Sequence, residues 1–118
     1  MKIVRCRDTA NEGRDDGRTI TRLLSDYEVS CPDSLSMIVS DIPAGCVEDK
    51  HYHRDSLEMF YYLTPGSVEI DGEIYSLDTG DLVVLEKEDV HQIRAQDNMQ
   101  ILVIRVPDAD DKVVVPEG

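Results

Sequence analysis

The stretch that decides the fold of this chain runs from residue 45 to residue 66 and reads "GCVEDKHYHRDSLEMFYYLTPG". It contains two of the three histidines, His51 and His53, with Glu58 five residues after the second. Alternate residues of a β-strand point to the same face, roughly 6.5–7 Å apart along the chain, so "KHYH" presents both imidazoles side by side. "LEMFYYL" is aromatic and β-favouring, and it stops at Pro65 and Gly66, which suit a type II turn. The stretch therefore predicts two short strands that carry two imidazoles and a carboxylate.

The rest of the chain shows the same alternation of short strands and turns. "LSMIVSDI" stops at Pro43, and Asp71-Gly72, between "SVEI" and "EIYSL", is a strong hairpin signal. "LVVL", "VHQIRA", "MQILVIRV" and "KVVV" follow, separated by further turns. About eight or nine strands with frequent turns and no long helix predict an all-β sandwich or barrel. Because the turns are short, the strands are expected to run mostly antiparallel.

The N-terminal third is predicted to differ from the remainder. Residues 5–18, "RCRDTANEGRDDGR", are polar and punctuated by glycine, which is typical of a loop. Residues 19–30, "TITRLLSDYEVS", fit the start of either a strand or a short helix. We therefore expect residues 1–34 to form an N-terminal arm, or extra strands that pack on a barrel, and residues 35–118 to form the barrel itself. A chain of 118 residues is most simply one domain.

The composition narrows the classes of partner. Twenty-five acidic and twelve basic side chains give a formal net charge of −13, which repels nucleic acids and anionic membranes. No apolar run approaches the roughly 18 residues that cross a bilayer, and the first residues lack the apolar core of a secretory signal. Three cysteines without a CxxC pair favour a reducing compartment over a disulfide framework. We therefore expect a cytoplasmic protein with neither a nucleic-acid nor a membrane partner.

The third histidine, His91, opens the strand "HQIRA" between the apolar strands "LVVL" and "ILVIRV". In a barrel, a residue at the start of a strand can face inward, across from His51 and His53. Buried imidazoles and a carboxylate must pair, change their protonation or bind a cation, and a divalent metal satisfies all of them. Three nitrogens and one oxygen suit iron, manganese, nickel, copper or zinc. Taken one by one, the same residues also fit a polar strand face, a turn histidine and a solvent-facing glutamate.

Two spacings in the chain match the motifs of a known family. The first motif reads G, five residues, HxH, three or four residues, E, six residues, G. Gly45, the HxH pair and Glu58 fit it, whereas Pro65 stands at the place of the closing glycine and Gly66 comes one residue late. The first motif is therefore matched in all three of its ligand positions.

The second motif reads G, five residues, PxG, two residues, H, three residues, N. Gly80 and His91 keep this spacing, while Glu86 and Glu88 replace the proline and the glycine, and Ala95 replaces the asparagine. With both motifs present, residues 35–106 resemble a small single-domain cupin. The resemblance implies a double-stranded β-helix, that is, a cupin or jelly-roll barrel.

The resemblance also implies a function. It implies a divalent metal held by the three histidines and Glu58, a small-molecule ligand and often a homodimer. We expect an enzyme acting on a small oxygen-rich metabolite, of oxygenase, isomerase or lyase type. Glu58 would be a ligand or a base, and Tyr62, on the same strand face, would orient substrate, transfer a proton or pack in the core. The alternatives are a non-catalytic sugar-binding, metabolite-binding or regulatory module, and a metal that serves only to hold the core together.

Overall fold

The computed structural model describes residues 1–13, 19–21, 23 and 36–116. Over these residues the chain forms short β-strands and one short 3-10 helix, Cys6–Asp8. The strands are β1 (Lys2–Val4), β2 (Asn11–Gly13), β3 (Thr19–Thr21), β4 (Ser36–Ile42), β5 (His51–His53), β6 (Leu57–Tyr62), β7 (Gly66–Ile70), β8 (Glu73–Leu77), β9 (Leu82–Leu85), β10 (His91–Gln92), β11 (Met99–Val106) and β12 (Lys112–Val114). No helix within the described residues is long and apolar enough to cross a membrane.

Two five-stranded antiparallel sheets contain most of the strands. The first sheet has the order β1-β9-β6-β11-β4 and the second has the order β12-β5-β10-β7-β8. Residues of both sheets, among them Phe60 of β6 and Val68 of β7, share one hydrophobic core. The two sheets therefore pack face to face, and the all-β prediction is confirmed.

Side chains alternate between the two faces of β6, as its sequence predicts. Glu58, Phe60 and Tyr62 are buried on the inner face, where the two aromatic rings join the main core. Met59 lies on the other face and packs in a second cluster with Val84 of β9. This alternation is what aims Glu58 into the space between the sheets.

The hairpin and turn predictions have different outcomes. Asp71 and Gly72 connect β7 to β8 with φ angles of 48° and 85°, as a two-residue hairpin turn requires. Gly66 instead lies in β7 without the left-handed φ that a type II turn needs, so that turn prediction is wrong. A Cβ at Gly66 would come within 3.0 Å of Met99 Sδ and 3.1 Å of Tyr62 Cε2. Close packing against Met99 and Tyr62, and not turn geometry, therefore favours a small residue there.

The turn before β10 keeps a glycine-like backbone without a glycine. Glu88, which replaces the glycine of the second motif, has a φ of 68°, in the left-handed region that side chains disfavour. Its N–H donates to the carbonyl oxygen of His53 at 3.0 Å. The substitution therefore leaves the turn geometry in place and links the turn to β5.

The N-terminal residues are more ordered than the loop prediction for residues 5–18 implies. β1 pairs with β9 at the edge of the first sheet, and β2 pairs with β3. The Arg5 guanidinium donates to the carboxylate of Asp81 at 3.1 Å and to the backbone oxygen of Ser76. Residues 14–18, 22 and 24–35 lie outside the described residues, as does most of the ambiguous segment 19–30.

Candidate metal centre

The three histidines meet because two neighbouring strands carry them. β5 holds His51 and His53, and β10 begins at His91. The two strands pair so that His91 lies directly opposite His51. The ring centroids of these two residues are 4.3 Å apart, and the ring of His53 lies 5.2 Å from that of His51. Antiparallel pairing thus brings the third imidazole to a pair that is forty residues away in the sequence.

Glu58 reaches the histidines from the opposite sheet. Its Oε1 atom lies 3.1 Å from Nε2 of His91 and 3.5 Å from Nε2 of His53. One ligand atom from each of the three histidines and Glu58 lies within 4.8 Å of the others, and all four residues are buried. The structure therefore brings together the four side chains that the sequence predicts as metal ligands.

Each imidazole is held from behind through its Nδ1 atom. Nδ1 of His51 lies 2.7 Å from the carbonyl oxygen of Asp49, and Nδ1 of His91 lies 2.9 Å from that of Asp89. Nδ1 of His53 lies 3.0 Å from a carboxylate oxygen of Asp111. In the neutral tautomer that donates a hydrogen bond from Nδ1 to these oxygens, Nε2 keeps its lone pair. This is the tautomer in which a histidine binds a metal through Nε2.

Asp111, which sequence reasoning missed, is the most heavily bonded of these outer partners. Besides His53, it accepts hydrogen bonds from the backbone N–H groups of Asp55 and Ser56 and from the Ser56 hydroxyl. Burial opposes its ionisation, but these donors outweigh burial and lower the pKa of Asp111 to about 2. The carboxylate is therefore ionised and fixed in position. It stands in the run "DADDK", where only the pairing of β12 with β5 distinguishes it from its neighbours.

The protonation states of the cluster suit a cation. Burial lowers the pKa of His51 to about 4, although the carbonyl of Asp49 opposes this shift. Burial opposes ionisation of Glu58, but the adjacent rings of His53 and His91 outweigh it and lower the pKa of that carboxyl to about 2. At neutral pH the site therefore presents an uncharged imidazole at His51 and a carboxylate anion at Glu58.

The residues present fit a divalent metal ion. Nε2 of His53 is buried without a hydrogen-bond partner among the described residues, although buried polar atoms are normally satisfied. At 3.5 Å the Glu58 oxygen is near enough for an ion pair but forms no hydrogen bond with it. A cation bound by Nε2 would satisfy this atom, and three imidazoles with one carboxylate form a typical donor set for such an ion.

The cluster opens into a cavity of about 340 Å³ between the two sheets. His51, His53 and Glu58 form part of its lining. One side of the cavity is apolar, with Phe60 and Val103 facing inward from adjacent strands. The remaining charged lining residues are Asp41, Glu48, Arg105 and Lys112. A small molecule in this cavity would touch the cluster directly.

Tyr62, the second predicted catalytic residue, is fully buried in the main core. Its hydroxyl donates to the carbonyl oxygen of Ser67 at 3.1 Å, and the residue is absent from the cavity lining. Burial raises the pKa of this phenol, and the nearby charge of Glu48 adds to the increase. These contacts are those of a packed core residue, and a catalytic role for Tyr62 stays a prediction.

Sequence reasoning did not identify Glu48, Arg105 or Lys112 as residues of this cavity. Glu48 is half-buried, and burial raises the pKa of its carboxyl. The alternation along β11 could have assigned Arg105 to the same face as Val103, but only the strand register puts it opposite Glu58. No local signal marks Lys112, because it is the sheet order that brings β12 beside β5.

Comparison with family models and with curated proteins finds no match. Solved structures do match. The DMSP lyase DddQ from Ruegeria pomeroyi superposes with a TM-score of 0.63 at 28% identity, over 73% of this chain and 46% of the lyase. A protein with a double-stranded β-helix domain from Klebsiella pneumoniae gives a TM-score of 0.65 at 12% identity, over 72% of this chain and 77% of that one.

Salicylate 1,2-dioxygenase from Pseudaminobacter salicylatoxidans is also similar, with a TM-score of 0.57 and 18% identity. The match covers 62% of this chain and 21% of the dioxygenase, and that enzyme has also been solved with gentisate. The chain therefore spans about a fifth of the dioxygenase and under half of the lyase. Similarity at this level concerns the arrangement of strands.

Proposed function

We propose that this protein, which has the cupin fold of a double-stranded β-helix, is a metal-dependent enzyme acting on a small oxygen-rich metabolite. The three histidines and Glu58 would be the ligands of one divalent ion. The observation that carries the proposal is the convergence of four ligand atoms within 4.8 Å, beside a cavity of about 340 Å³. Catalytic metal sites differ from structural ones in being open to substrate.

Each residue of the site would have a distinct part. When bound, the ion supplies Lewis-acid polarisation of a substrate oxygen and, if it is iron, reactivity toward dioxygen. Asp111 would keep the His53 ring oriented, and the carbonyls of Asp49 and Asp89 would do the same for the other two rings. The apolar wall would exclude water from the bound molecule.

Glu58 is better suited to binding the ion than to acting as a base. A carboxyl with a pKa of about 2 holds a proton poorly at neutral pH, whereas effective proton-transfer groups have pKa values near the working pH. The half-buried Glu48, whose pKa burial raises, faces the same cavity. Proton transfer, if the reaction needs it, would therefore be better served by Glu48 than by Glu58.

The reaction class is left open between oxygenase, isomerase and lyase. Two of the similar proteins are a dioxygenase and a lyase by name, and the same fold supports many chemistries. The metal is likewise one of iron, manganese, nickel, zinc or copper, since all accept this donor set. We also propose a cytoplasmic location.

We further propose a homodimer. The edge strand β4 carries Met37 and Val39 on the face opposite the cavity, and their exposed fractions are 62% and 57%. Exposed apolar side chains on a sheet edge are typical of an interface. Light scattering coupled to size exclusion checks the assembly, and a monomer at micromolar concentration would contradict it.

Elemental analysis tests the metal centre. Protein purified without a chelator or a histidine tag is expected to hold about one divalent ion per chain. His53→Ala should deplete the ion while circular dichroism stays that of a folded β protein. Tyr52→Ala is the matched control, because Tyr52 lies on the same strand with its side chain on the opposite face. A metal-free wild type, or a His53→Ala variant with full metal content, would contradict the proposal.

An activity assay distinguishes the proposed enzyme from a non-catalytic binding module. Metal-loaded protein is incubated with a panel of small diols and keto acids, while an oxygen electrode and proton NMR follow dioxygen uptake and product formation. Conversion that disappears in His53→Ala supports the enzyme. Saturable binding of a panel member without conversion supports the non-catalytic module instead.

A further inference from the structure

The described residues contain two buried side-chain nitrogens without a hydrogen-bond partner, Nε2 of His53 and Nε of Arg105. Both residues line the cavity beside the candidate metal centre. A metal ion accounts for the first atom, because an imidazole nitrogen can offer a lone pair. It cannot account for the second, since a guanidinium is always protonated and only donates hydrogen bonds. Arg105 therefore needs an acceptor that the metal does not provide.

Arg105 faces the cavity from β11. In the strand register it lies opposite Glu58 of β6, so the two side chains share a face, and its side chain is 28% exposed. Its Nη2 atom donates to the exposed Asp108 at 3.3 Å. A guanidinium has five donors in a planar fork, and this is the one side-chain hydrogen bond that Arg105 makes within the described part of the chain. Most of the fork is thus open to a ligand.

Lys112 adds a second positive charge from the other sheet. It begins β12 and lies opposite His53 in the register, on the face that lines the cavity. The side chain is exposed and forms no ion pair or hydrogen bond with the residues that the structure describes. The two cations therefore approach the cavity from opposite walls.

The acids in the same cavity are already occupied. Asp41 accepts a hydrogen bond from the Gln100 amide at 2.7 Å, and Glu48 accepts one from the backbone N–H of Ile93 at 2.9 Å. Glu58 lies against the histidines. Two further carboxylates lie just outside the lining, where Asp108 pairs with Arg105 and Asp111 lies behind His53. The remaining donors of Arg105 and the ammonium group of Lys112 therefore form the part of the cavity wall that favours an anion.

We infer that Arg105 and Lys112 bind the carboxylate of a small organic monoanion, an inference that rests on the proposed function and narrows its substrate class. The fork of a guanidinium matches a carboxylate in shape and charge. The apolar wall of the cavity suits the body of such a molecule, and its aliphatic and aromatic members are Ile38, Ile42, Phe60, Ile93, Ile101 and Val103. The metal would then meet an oxygen elsewhere on the substrate. A neutral sugar or diol would accept a hydrogen bond from Arg105 but would leave the charge of the guanidinium without a counterion.

Benzoate and benzamide test the inference, because they have the same shape and differ in charge. Affinities are measured by calorimetry on zinc-reconstituted protein whose metal content is determined for each variant. Benzoate is expected to bind at least about tenfold more tightly than benzamide, as charge-assisted pairs allow. Lys112→Gln and Arg105→Gln should each remove most of that preference. Lys87→Gln and Arg94→Gln, which remove one charge from exposed positions outside the cavity lining, should preserve it.

The outcomes separate this inference from the proposed function. Metal-free protein contradicts the proposed function before any ligand is added. Protein that holds metal but binds benzamide as well as benzoate overturns the inference alone. A benzoate preference that persists in both cavity variants also overturns it, because the carboxylate is then bound by the metal. If Arg105→Gln loses metal or fails to fold, Lys112→Gln decides, since its exposed side chain is not needed for packing.

Discussion

Two aspartates with buried side chains, Asp81 and Asp111, collect hydrogen bonds in the same way but support different regions. Asp81 accepts from the backbone N–H groups of Cys6 and Asp78 and from the Arg5 guanidinium, and so ties the N-terminal residues to the turn before β9. Asp111 accepts from the chain after β5 and from the His53 ring. The same chemistry therefore serves chain attachment in one region and ligand orientation in the other.

The two hydrogen-bond networks differ in how they end. Around Asp81 the described donors and acceptors pair with one another. Around Asp111 the chain of contacts ends at Nε2 of His53, a buried atom without a hydrogen-bond partner among the described residues. A network that ends on an unsatisfied atom points to a missing ligand, whereas a closed network contributes to stability alone.

The largest effect is expected from Asp111→Ala. It would leave the Ser56 N–H and Nδ1 of His53 without their acceptor, whereas the Ser56 hydroxyl keeps the carbonyl oxygen of Pro107 and the Asp55 N–H is exposed to water. Unpaired buried donors destabilise by about 1–3 kcal/mol each before relaxation, so we expect a loss of about 3 kcal/mol or more in the free energy of unfolding. Metal affinity should fall about 10–100-fold, as for other outer partners of metal ligands. Urea unfolding and metal titration measure the two effects.

Asp81→Asn should lower stability without lowering metal affinity. The variant weakens a partly buried ion pair with Arg5 and the charge-assisted contacts to Cys6 and Asp78, so we expect a loss of about 1–3 kcal/mol. Metal affinity should stay within about twofold of the wild type, because Asp81 contacts none of the predicted ligands. If Asp81→Asn lost metal as strongly as Asp111→Ala, Asp81 would also support the metal centre, and the two aspartates would not have separate roles.

Acid should weaken the scaffold through Asp81. Burial opposes its ionisation, but the Asp78 and Cys6 N–H groups and Arg5 outweigh burial and lower the pKa of the carboxyl. A carboxyl whose pKa is lower in the folded state contributes stability that is complete above its unfolded pKa, about 3.9, and is lost as the pH falls through the folded pKa. Urea unfolding between pH 6 and pH 3 should therefore show a shallower decline in Asp81→Asn. Equal slopes would contradict this.

The smallest effect concerns the left-handed residues that flank the two regions. Glu88→Gly should stabilise the protein by up to about 1 kcal/mol, because a φ of 68° strains a side chain and not a glycine. Gly80→Ala is the control for which the opposite change in stability is expected. It combines a φ of 88° with a Cβ only 3.3 Å from the Cys6 side chain, and should destabilise. Thermal melts should show a higher melting temperature for Glu88→Gly and a lower one for Gly80→Ala. A lower melting temperature for Glu88→Gly would show that the Glu88 side chain makes a favourable interaction.

Much of the fold follows from local patterns. The alternation in "LEMFYYL" predicts which side chains of β6 face inward, and Asp71-Gly72 predicts its hairpin, because strand periodicity and turn chemistry are short-range effects. The type II turn predicted at Pro65-Gly66 is wrong, because Gly66 begins β7 and packs against Met99, a contact between residues distant in the sequence. The strand β2 lies in the segment 5–18 that was predicted as a loop, whereas β1 pairs with β9 as one of the alternatives expected for residues 1–34 allows.

Some residues of the candidate site could likewise be predicted from the sequence, and others could not. Spacing alone identified three histidines and Glu58, because the HxH alternation and the motif distances are properties of the chain. Asp111, Arg105 and Lys112 were not identifiable, because each is one charged residue among many in a strongly acidic protein. Their roles depend on which strands lie side by side and on the register between them.

The amino-acid sequence by itself determined the all-β class, the positions of most strands and the identity of the four convergent side chains, since these depend on periodicity and on residue type. Only the tertiary structure decided that Asp111 orients His53 and that Arg105 and Lys112 face one cavity. Burial, hydrogen-bond satisfaction and charge balance are properties of neighbours in space, and in an antiparallel barrel those neighbours are mostly distant in the chain.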